Sequence, residues 1–246
     1  MPEELMYNKF AKYYDKIYAE LEYDKDVEFL TWLIDKHKQS DGNRLLDVAC
    51  GTGNHAQYLV ENFSVLGVDK SEDMLAIARE KVKEAEFRLD NMQTFDLGEQ
   101  FDVILCMFSS IGYNTSYDQL ETTLRNFHNH LRPGGVLIFD TWFHKRGWIE
   151  GFMNINTVIE DNLQVARISQ SRSKGDVGNF NMVFVIKDKG QIDFEIDQHK
   201  LLIIDIDKVK NIMEIIGFTT EVYAGSTREL WTKKTKERPY YCGVKR

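Results

Sequence analysis

Leu45-Leu46-Asp47-Val48-Ala49-Cys50-Gly51-Thr52-Gly53 reads as a short buried strand running into a turn. Glycines just past a strand let the backbone approach a ligand closely and turn into the next helix. The spacing Gly51-x-Gly53-x-x-Ala56 also fits a dinucleotide fingerprint, a weak pattern by itself. Two acids separate the readings. Asp47 lies inside the strand, four residues before Gly51, where a dinucleotide-binding strand is normally apolar throughout. Burying an unpaired charge is expensive, so this carboxylate needs a polar purpose: holding the amides of the glycine turn, or facing a cationic ligand. Asp69 ends the next strand, 18 residues after Gly51. A carboxylate there can accept both ribose hydroxyls of an adenosine.

Outward from this turn, strands and helices alternate. A helical stretch runs through His55 to Phe63, SVLGVD (64–69) is strand, and SEDMLAIAREKVKEA (71–85) is helix. That helix carries acids in its first turn and lysines in its last, as the helix dipole prefers. FRL (87–89) and FDVILCMF (101–108) are further strands, the latter apolar on both faces like a central parallel strand. YDQLETTLRNFHNHL (117–131) is an amphipathic helix, stopped by Arg132-Pro133-Gly134-Gly135, and VLIFDTW (136–142) is a fifth strand. The first stretch, roughly 8–38, repeats apolar residues at three to four positions and reads as helical. Alternation at this spacing implies βαβ units and a doubly wound parallel sheet. After about residue 150 the period changes to two, around turn signals such as Lys174-Gly175-Asp176 and Lys189-Gly190, so 144–204 reads as an antiparallel β insertion. A helix from Asp205 to Ile216 and strands around 218–224 and 239–244 return the chain to the first sheet. One domain is expected: a helical cap (1–39), a core (40–143 and 205–246) and the insertion.

The 246 residues, 43% apolar and 28% charged, suffice for a substantial core. Thirty-one basic against 39 acidic residues leave a net charge of −8, which disfavours general nucleic-acid binding. Cys50, Cys106 and Cys242 are far apart and lack a C-x-x-C, so they read as reduced thiols, neither a disulfide framework nor a zinc cage. MPEELMYNKF has no apolar run, and the longest apolar stretch is the six residues Val103 to Phe108. A membrane span needs about 20. A cytoplasmic protein without a signal peptide or membrane segment is expected.

The run D-x-A-C-G-T-G, followed by an acid at the end of strand two, resembles the class I S-adenosylmethionine-dependent methyltransferases. The resemblance covers about 40–143 and resumes at 205–246. It implies a Rossmann-like seven-stranded sheet with its last strand antiparallel. It also implies S-adenosylmethionine as cofactor, with Gly51 and Gly53 passing its methionine part, Asp69 its ribose and Met74 its adenine. Ala49, Cys50, Lys70, Met92, Met107 and Tyr14 flank that path. The acid that usually meets the adenine amino group falls at Asp90 or Asn91, and both stay open. Cys106-Met107-Phe108-Ser109-Ser110-Ile111-Gly112-Tyr113, with DMLAIAR (73–79) and fragments of the insertion, looks like the nucleotide-linked amino-sugar N,N-dimethyltransferases. Tyr7 and Tyr14-Asp15 fall where that group has a cap over the cofactor. The chain departs from the group at Asp140-Thr141-Trp142-Phe143 and Thr227-Arg228-Glu229, which bears on the acceptor and leaves methyl transfer intact.

Transfer from a sulfonium to a neutral amine conserves net charge, so it calls for neither an oxyanion site nor a metal. Orientation, worth up to ~7–11 kcal/mol, is the main lever, and water exclusion helps. Tyr113 and His55 are the catalytic candidates, His55 otherwise being a polar residue on a helix's first turn. Tyr7, Phe108, Ser109, Tyr113, Trp142, Arg167, Arg172, His199 and Arg228 are candidates for the acceptor side. Arg167 and Arg172 suit a substrate phosphate or are solvated strand arginines, and His199 reads first as a strand residue. No acid–base constellation is evident beside Tyr113, so no indispensable base is expected. A small-molecule amine is the expected partner, with a homodimer possible. A methyltransferase for RNA or protein and a non-catalytic adenosyl-ligand-binding module are the competing readings.

Overall fold

The computed structural model describes residues 4–246; Met1, Pro2 and Glu3, which open the expected cap, lie outside the described residues. A seven-stranded sheet is built from β1 (Arg44–Val48), β2 (Ser64–Asp69), β3 (Glu86–Leu89), β4 (Phe101–Cys106), β5 (Leu131–Asp140), β10 (Phe218–Ala224) and β11 (Pro239–Lys245). Its order is β10-β11-β5-β4-β1-β2-β3, with β11 antiparallel to both neighbours and every other pairing parallel. β4 lies at the centre and is buried along its whole length. Its one acid, Asp102, accepts from the Arg44 amide at 3.0 Å.

Helices cover both faces. α2 (Tyr23–His37), α3 (Ala56–Leu59) and α4 (Glu72–Lys81) pack one side through Leu30, Leu33, Ala56, Leu75 and Ala78. α5 (Tyr117–His130) and α6 (Ile206–Ile216) pack the other through Leu124, Phe127, Val209 and Met213. Ser71, Ser116 and Asp205 cap α4, α5 and α6 by accepting from Met74, Gln119 and Lys208 amides. Gly217, at φ 121°, ends α6 in a conformation that side chains resist.

Several local boundaries differ from expectation. The helix over 8–38 is broken: a 3-10 turn (Leu5–Tyr7) and α1 (Ala11–Ile17) are separated from α2 by the turn at Tyr18–Glu22. The helix from His55 to Phe63 shrinks to four residues. α4 stops at Lys81, where Val82 adopts φ −124° and buries its side chain in the core. β5 begins at Leu131, before Pro133, with a register shift opposite Phe101 and Val103.

The period-two segments form a second sheet, ordered β6 (Met153–Glu160), β7 (Leu163–Lys174), β8 (Val177–Asp188) and β9 (Gln191–Leu202), all antiparallel. Lys189 and Gly190, φ +48° and +87°, make the two-residue turn between β8 and β9. One face buries Val165, Phe184 and Ile186 against Met6, Phe10, Tyr13 and Ile17 of the N-terminal segment. The other leaves Ile155, Ile168, Val185, Phe194 and Ile196 exposed.

Candidate active site

At the carboxyl ends of β1, β2 and β4 the glycine turn, the N-terminal segment and the β4–α5 connection enclose a cavity of about 620 Å³. It is lined by Asp47, Ala49, Cys50, Gly51, Asp69, Lys70, Met74, Asp90, Asn91, Met92 and Met107, and also by Tyr7, Tyr14, His55, Phe108 and Tyr113. Parallel strands whose connections diverge at a switch point leave such a crevice.

The two acids divide their work differently from the simplest reading. Asp69, not Asp47, holds the glycine turn: its Oδ2 accepts from the Gly51 amide and its Oδ1 from the Ser71 amide, both at 2.9 Å. Burial raises its carboxyl, and these amides pull the other way. Asp47 is 2% exposed, and its Oδ2 has no hydrogen-bond partner in the protein. Burial pushes this carboxyl up to about 6; His55 opposes the shift and Asp69 adds to it. A buried acid facing a cavity with an unsatisfied oxygen awaits a cationic or hydrogen-bonding ligand. Gly51, at φ +55°, has no protein atom within 4 Å of where a Cβ would stand. These features fit the cationic methionine end and ribose of S-adenosylmethionine.

The N-terminal segment is tied to the glycine turn. Asp15 accepts from Thr52 Oγ1 at 2.6 Å, Asn54 Nδ2 at 3.0 Å and Lys81 Nζ at 2.6 Å. One carboxylate thus joins α1, the turn and the end of α4. Tyr7 is anchored by its hydroxyl, 2.8 Å from that of Tyr113. Tyr113 in turn lies 2.8 Å from His199 Nδ1, and His199 Nε2 lies 2.9 Å from Asp197 Oδ2. A hydrogen-bonded chain therefore runs from the cavity wall into β9.

His55 lines the cavity with Nε2 held 3.0 Å from Asp26 Oδ2, and its ring meets those of Tyr23 and Phe108. Asp26 Oδ1 also accepts from the Tyr240 hydroxyl at 2.6 Å and lies 3.4 Å from Arg238. Burial opposes ionisation of Asp26, but His55, Arg238 and Tyr240 outweigh it and hold the carboxyl below its ordinary value. Arg238 Nε is 2.9 Å from Asp140 Oδ2, too poorly aligned for a hydrogen bond, so the contact is ionic. Asp26, Arg238, Asp140 and Tyr240 form a buried base beneath the aromatic wall of Phe108.

Other candidates lie away from the cavity. Gly53, at φ +76°, faces the core, where a Cβ would meet Ala78, Phe87 and Val82 at 3.3–3.5 Å. Ser109 is buried, accepts from the Trp142 amide through Oγ, and ties the β4 turn to the end of β5. Trp142 is 37% exposed outside Phe108. Arg167 is buried, with Nη1 donating to the Tyr18 hydroxyl at 2.7 Å and Nη2 to Asn156 Oδ1 at 2.6 Å. Arg172 is exposed near Glu150, and Arg228 lies over the Trp32 ring beside α2. His199 does not line the cavity itself and reaches it through Tyr113, by a hydrogen bond, and Tyr7, by an edge-on ring contact. Asp26 and Arg238 were not anticipated as site residues; Asp15 entered only beside Tyr14 in the cap that the resemblance implies, and Asp197 only among the insertion fragments that carry it. Only Asp197 had a local signal: two residues from His199 on a strand, it shares that residue's face.

This crevice over a seven-stranded sheet, with its glycine turn and paired acids, defines a nucleoside-binding α/β enzyme. The Methyltransferase domain family matches residues 45–135. The dTDP-3-amino-3,6-dideoxy-alpha-D-glucopyranose N,N-dimethyltransferase of Streptomyces fradiae is 30% identical over 231 residues, 91% of this chain and 90% of that one. The dTDP-3-amino-3,4,6-trideoxy-alpha-D-glucopyranose N,N-dimethyltransferase of Streptomyces venezuelae is 33% identical over 157 residues, 63% of this chain and 66% of that one. The crystal structure of Streptomyces venezuelae DesVI superposes with a TM-score of 0.82 at 27% identity, covering 96% of this chain and 98% of that one. The chain belongs to the S-adenosylmethionine-dependent methyltransferase family. It is an enzyme of that class, and S-adenosylmethionine is the cofactor of the class. Among the described residues no helix is long and apolar enough to cross a membrane.

Proposed function

We propose that this enzyme methylates the amino group of a nucleotide-linked amino sugar. The observation that carries the reading is the unpartnered Asp47 carboxylate opening on one cavity shared with the Tyr7 and Tyr113 hydroxyls. Similarity to the S. fradiae dimethyltransferase extends over 91% of the chain, so it is not confined to the cofactor core. When bound, the cofactor supplies an electrophilic methyl group on a sulfonium. Asp47 and the Gly51 turn receive its cationic end, and Asp69 its ribose. At the adenine amino group Asp90 is the better acceptor: its Oδ1 accepts from the Asn91 amide at 2.8 Å and its second oxygen stays free among the described residues, whereas the single side-chain oxygen of Asn91 already accepts from the Gln93 amide at 2.9 Å. Met74 and Met92 line the adenine side.

On the acceptor side Tyr7, Tyr113 and Phe108 hold the sugar and exclude water, raising the effective concentration of a correctly aimed amine. With Arg167 engaged and Arg172 remote, Lys200 and Lys70 are the lysines at the cavity. Lys70 is paired with Glu4, leaving Lys200 to meet a diphosphate. His55, fixed by Asp26, positions Phe108 and Tyr23. The buried free thiols of Cys50, Cys106 and Cys242 suit the reducing cytoplasm as the place of action. The test is a kinetic panel of dTDP-3-amino-3,6-dideoxy-α-D-glucopyranose, the same amino sugar without nucleotide, and glycine. The expected result is a kcat/KM at least about 10²-fold higher for the nucleotide-linked sugar, the worth of a few charge-assisted contacts. Equal values, or a preference for glycine, exclude the assignment.

The outer face of the second sheet favours a homodimer. Ile155, Ile168, Val183 and Ile196 stand opposite one another across four strands, and Ala166, Val185 and Phe194 extend the patch along the next row. An apolar sheet face left open needs cover, and two copies placed face to face would provide it. Light scattering should give twice the chain mass for the wild type and a monomer for Val185→Lys/Ile196→Lys. A monomeric wild type at tens of micromolar contradicts this arrangement.

A further inference from the structure

We propose that Asp15 is a positioning residue that latches the N-terminal segment onto the glycine turn, so that loading the cofactor seats Tyr7 on the acceptor side and the two ligands bind cooperatively. The acceptor half of the inference rests on the amine methylation proposed above. Each turnover requires the spent cofactor to leave and a fresh one to enter. Tyr7 and Tyr14 stand in the wall of the cavity, and the segment that carries them is the wall best placed to move.

Two kinds of contact hold this segment. Its apolar side chains, Met6, Phe10, Tyr13 and Ile17, pack on Leu163, Val165, Phe184 and Ile186 of the second sheet. Among the described residues none of these four joins either apolar cluster flanking the seven-stranded sheet. Toward the core the segment is held by polar contacts, which water can replace at small net cost. Glu4 pairs with Lys70, the Tyr7 carbonyl accepts from Ser71 Oγ, and Asp15 meets the glycine turn. The seam between segment and core can therefore open and close without unpacking an apolar core, while the segment stays on the second sheet.

Within that seam Asp15 is the tie to the cofactor's seat. Its Oδ1 accepts from Thr52 Oγ1 and Asn54 Nδ2, on two residues that line the cavity. Its Oδ2 accepts from Lys81 Nζ, which also donates to Asn54 Oδ1. The turn it grips is strained: Ala49, Gly51 and Gly53 lie at φ +56°, +55° and +76°, a region that the side chain of Ala49 resists. Such a turn holds its shape only where its surroundings determine it. A cofactor resting on Gly51 fixes the turn and presents Thr52 and Asn54 to Asp15. The same segment bears Tyr14, beside Asp15, and Tyr7, whose rings stand 6.2 Å apart. The Tyr7 hydroxyl lies 2.8 Å from that of Tyr113 on the acceptor side. Whichever ligand arrives first bears the cost of ordering the segment, and the second meets a wall already in place. Asp15 touches neither ligand in this scheme and acts through the turn and the helix that carries it.

The test uses S-adenosylhomocysteine, which fills the cofactor's place without a methyl group to transfer. By itself it should slow amide hydrogen exchange over residues 5–18 at least about tenfold and leave β4 unchanged. In calorimetry dTDP-3-amino-3,6-dideoxy-α-D-glucopyranose should bind the loaded protein at least about tenfold more tightly than the empty one, and S-adenosylhomocysteine should gain the same factor from the sugar. Asp15→Asn keeps one oxygen for the turn but sets an amide NH2 group against the Lys81 ammonium. It should bring both the protection and the coupling below about threefold, while β4 exchanges as in the wild type. Lys81→Met removes the cation from the other side of the cluster and should act in the same direction, which carries the test if the first variant folds poorly. A segment whose exchange ignores S-adenosylhomocysteine, a sugar that binds equally well with and without it, or full coupling in both variants would each overturn the latch. If no amino sugar binds the loaded protein, yet the segment is protected and Asp15→Asn removes that protection, the latch stands and the acceptor assigned above falls.

Discussion

Asp47→Asn should weaken S-adenosylmethionine binding by about 10²-fold or more at pH 8, as loss of one partner in a desolvated charge pair does, while making the ligand-free protein more stable. Both effects have one cause. The wild-type carboxyl is buried without a partner for Oδ2 and is pushed from 3.8 up to about 6. Each pKa unit is worth about 1.4 kcal/mol, so ionising Asp47 in the ligand-free fold costs on the order of 3 kcal/mol. The sign follows from a folded pKa above the unfolded one: the contribution favours the fold below about pH 4 and is lost as pH rises through about 6. Thermal unfolding should therefore place the Asn variant above the wild type at pH 8 and close to it at pH 4. Wild-type affinity for the cofactor should climb between pH 5 and 7, where Asp47 ionises, and the Asn variant should be flat there. A variant that binds normally, or one destabilised at pH 8, contradicts the role given to Asp47.

Gly51→Val should abolish cofactor binding at concentrations up to about 10²-fold above the wild-type Kd while leaving the protein folded. A Cβ at this position meets no protein atom within 4 Å but stands in a residue that lines the cavity. The φ of +55° adds strain on the order of 1–2 kcal/mol, a modest loss of melting temperature. Gly53→Ala supplies the contrast. Its Cβ would press on Ala78 at 3.3 Å and on Phe87 and Val82 just beyond, so stability should fall and binding should stay within a few-fold. If calorimetry finds the two glycines interchangeable, the turn does not divide its work between ligand and core as described.

These two glycines also mark what local sequence can and cannot say. That β1 runs into a turn opening on a cavity was legible from Asp47 and Gly51, because an acid inside an apolar strand and a glycine just past it have few other uses. That Gly53 points into the core was not, since spacing alone does not report which way a turn residue faces. The parallel core sheet and the period-two insertion, though not the order of the strands, followed from patterning of apolar residues over whole segments, which tertiary context rarely overrides. Helix ends were less legible: Val82 leaves α4 to bury its side chain, and α3 keeps only four residues of its expected span. The polar supports were hardest to foresee. Asp15 grips Thr52, Asn54 and Lys81, Asp26 joins His55 to Arg238, and Asp197 reaches Tyr113 through His199. Each bridges segments far apart in the chain, and a carboxylate on a solvated helix looks like any other until the fold brings its partner. Arg167 errs in the opposite direction, an arginine suited to phosphate that is instead spent on Tyr18 and Asn156.

The most direct measurement of the central claim is the position of label after incubation with trideuteromethyl-labelled S-adenosylmethionine and dTDP-3-amino-3,6-dideoxy-α-D-glucopyranose. Fragmentation mass spectrometry should find two labelled methyl groups on the sugar nitrogen of a single product. Label on a sugar oxygen, or a cofactor bound tightly in the cavity with no label transferred to the amino sugar, would contradict the account.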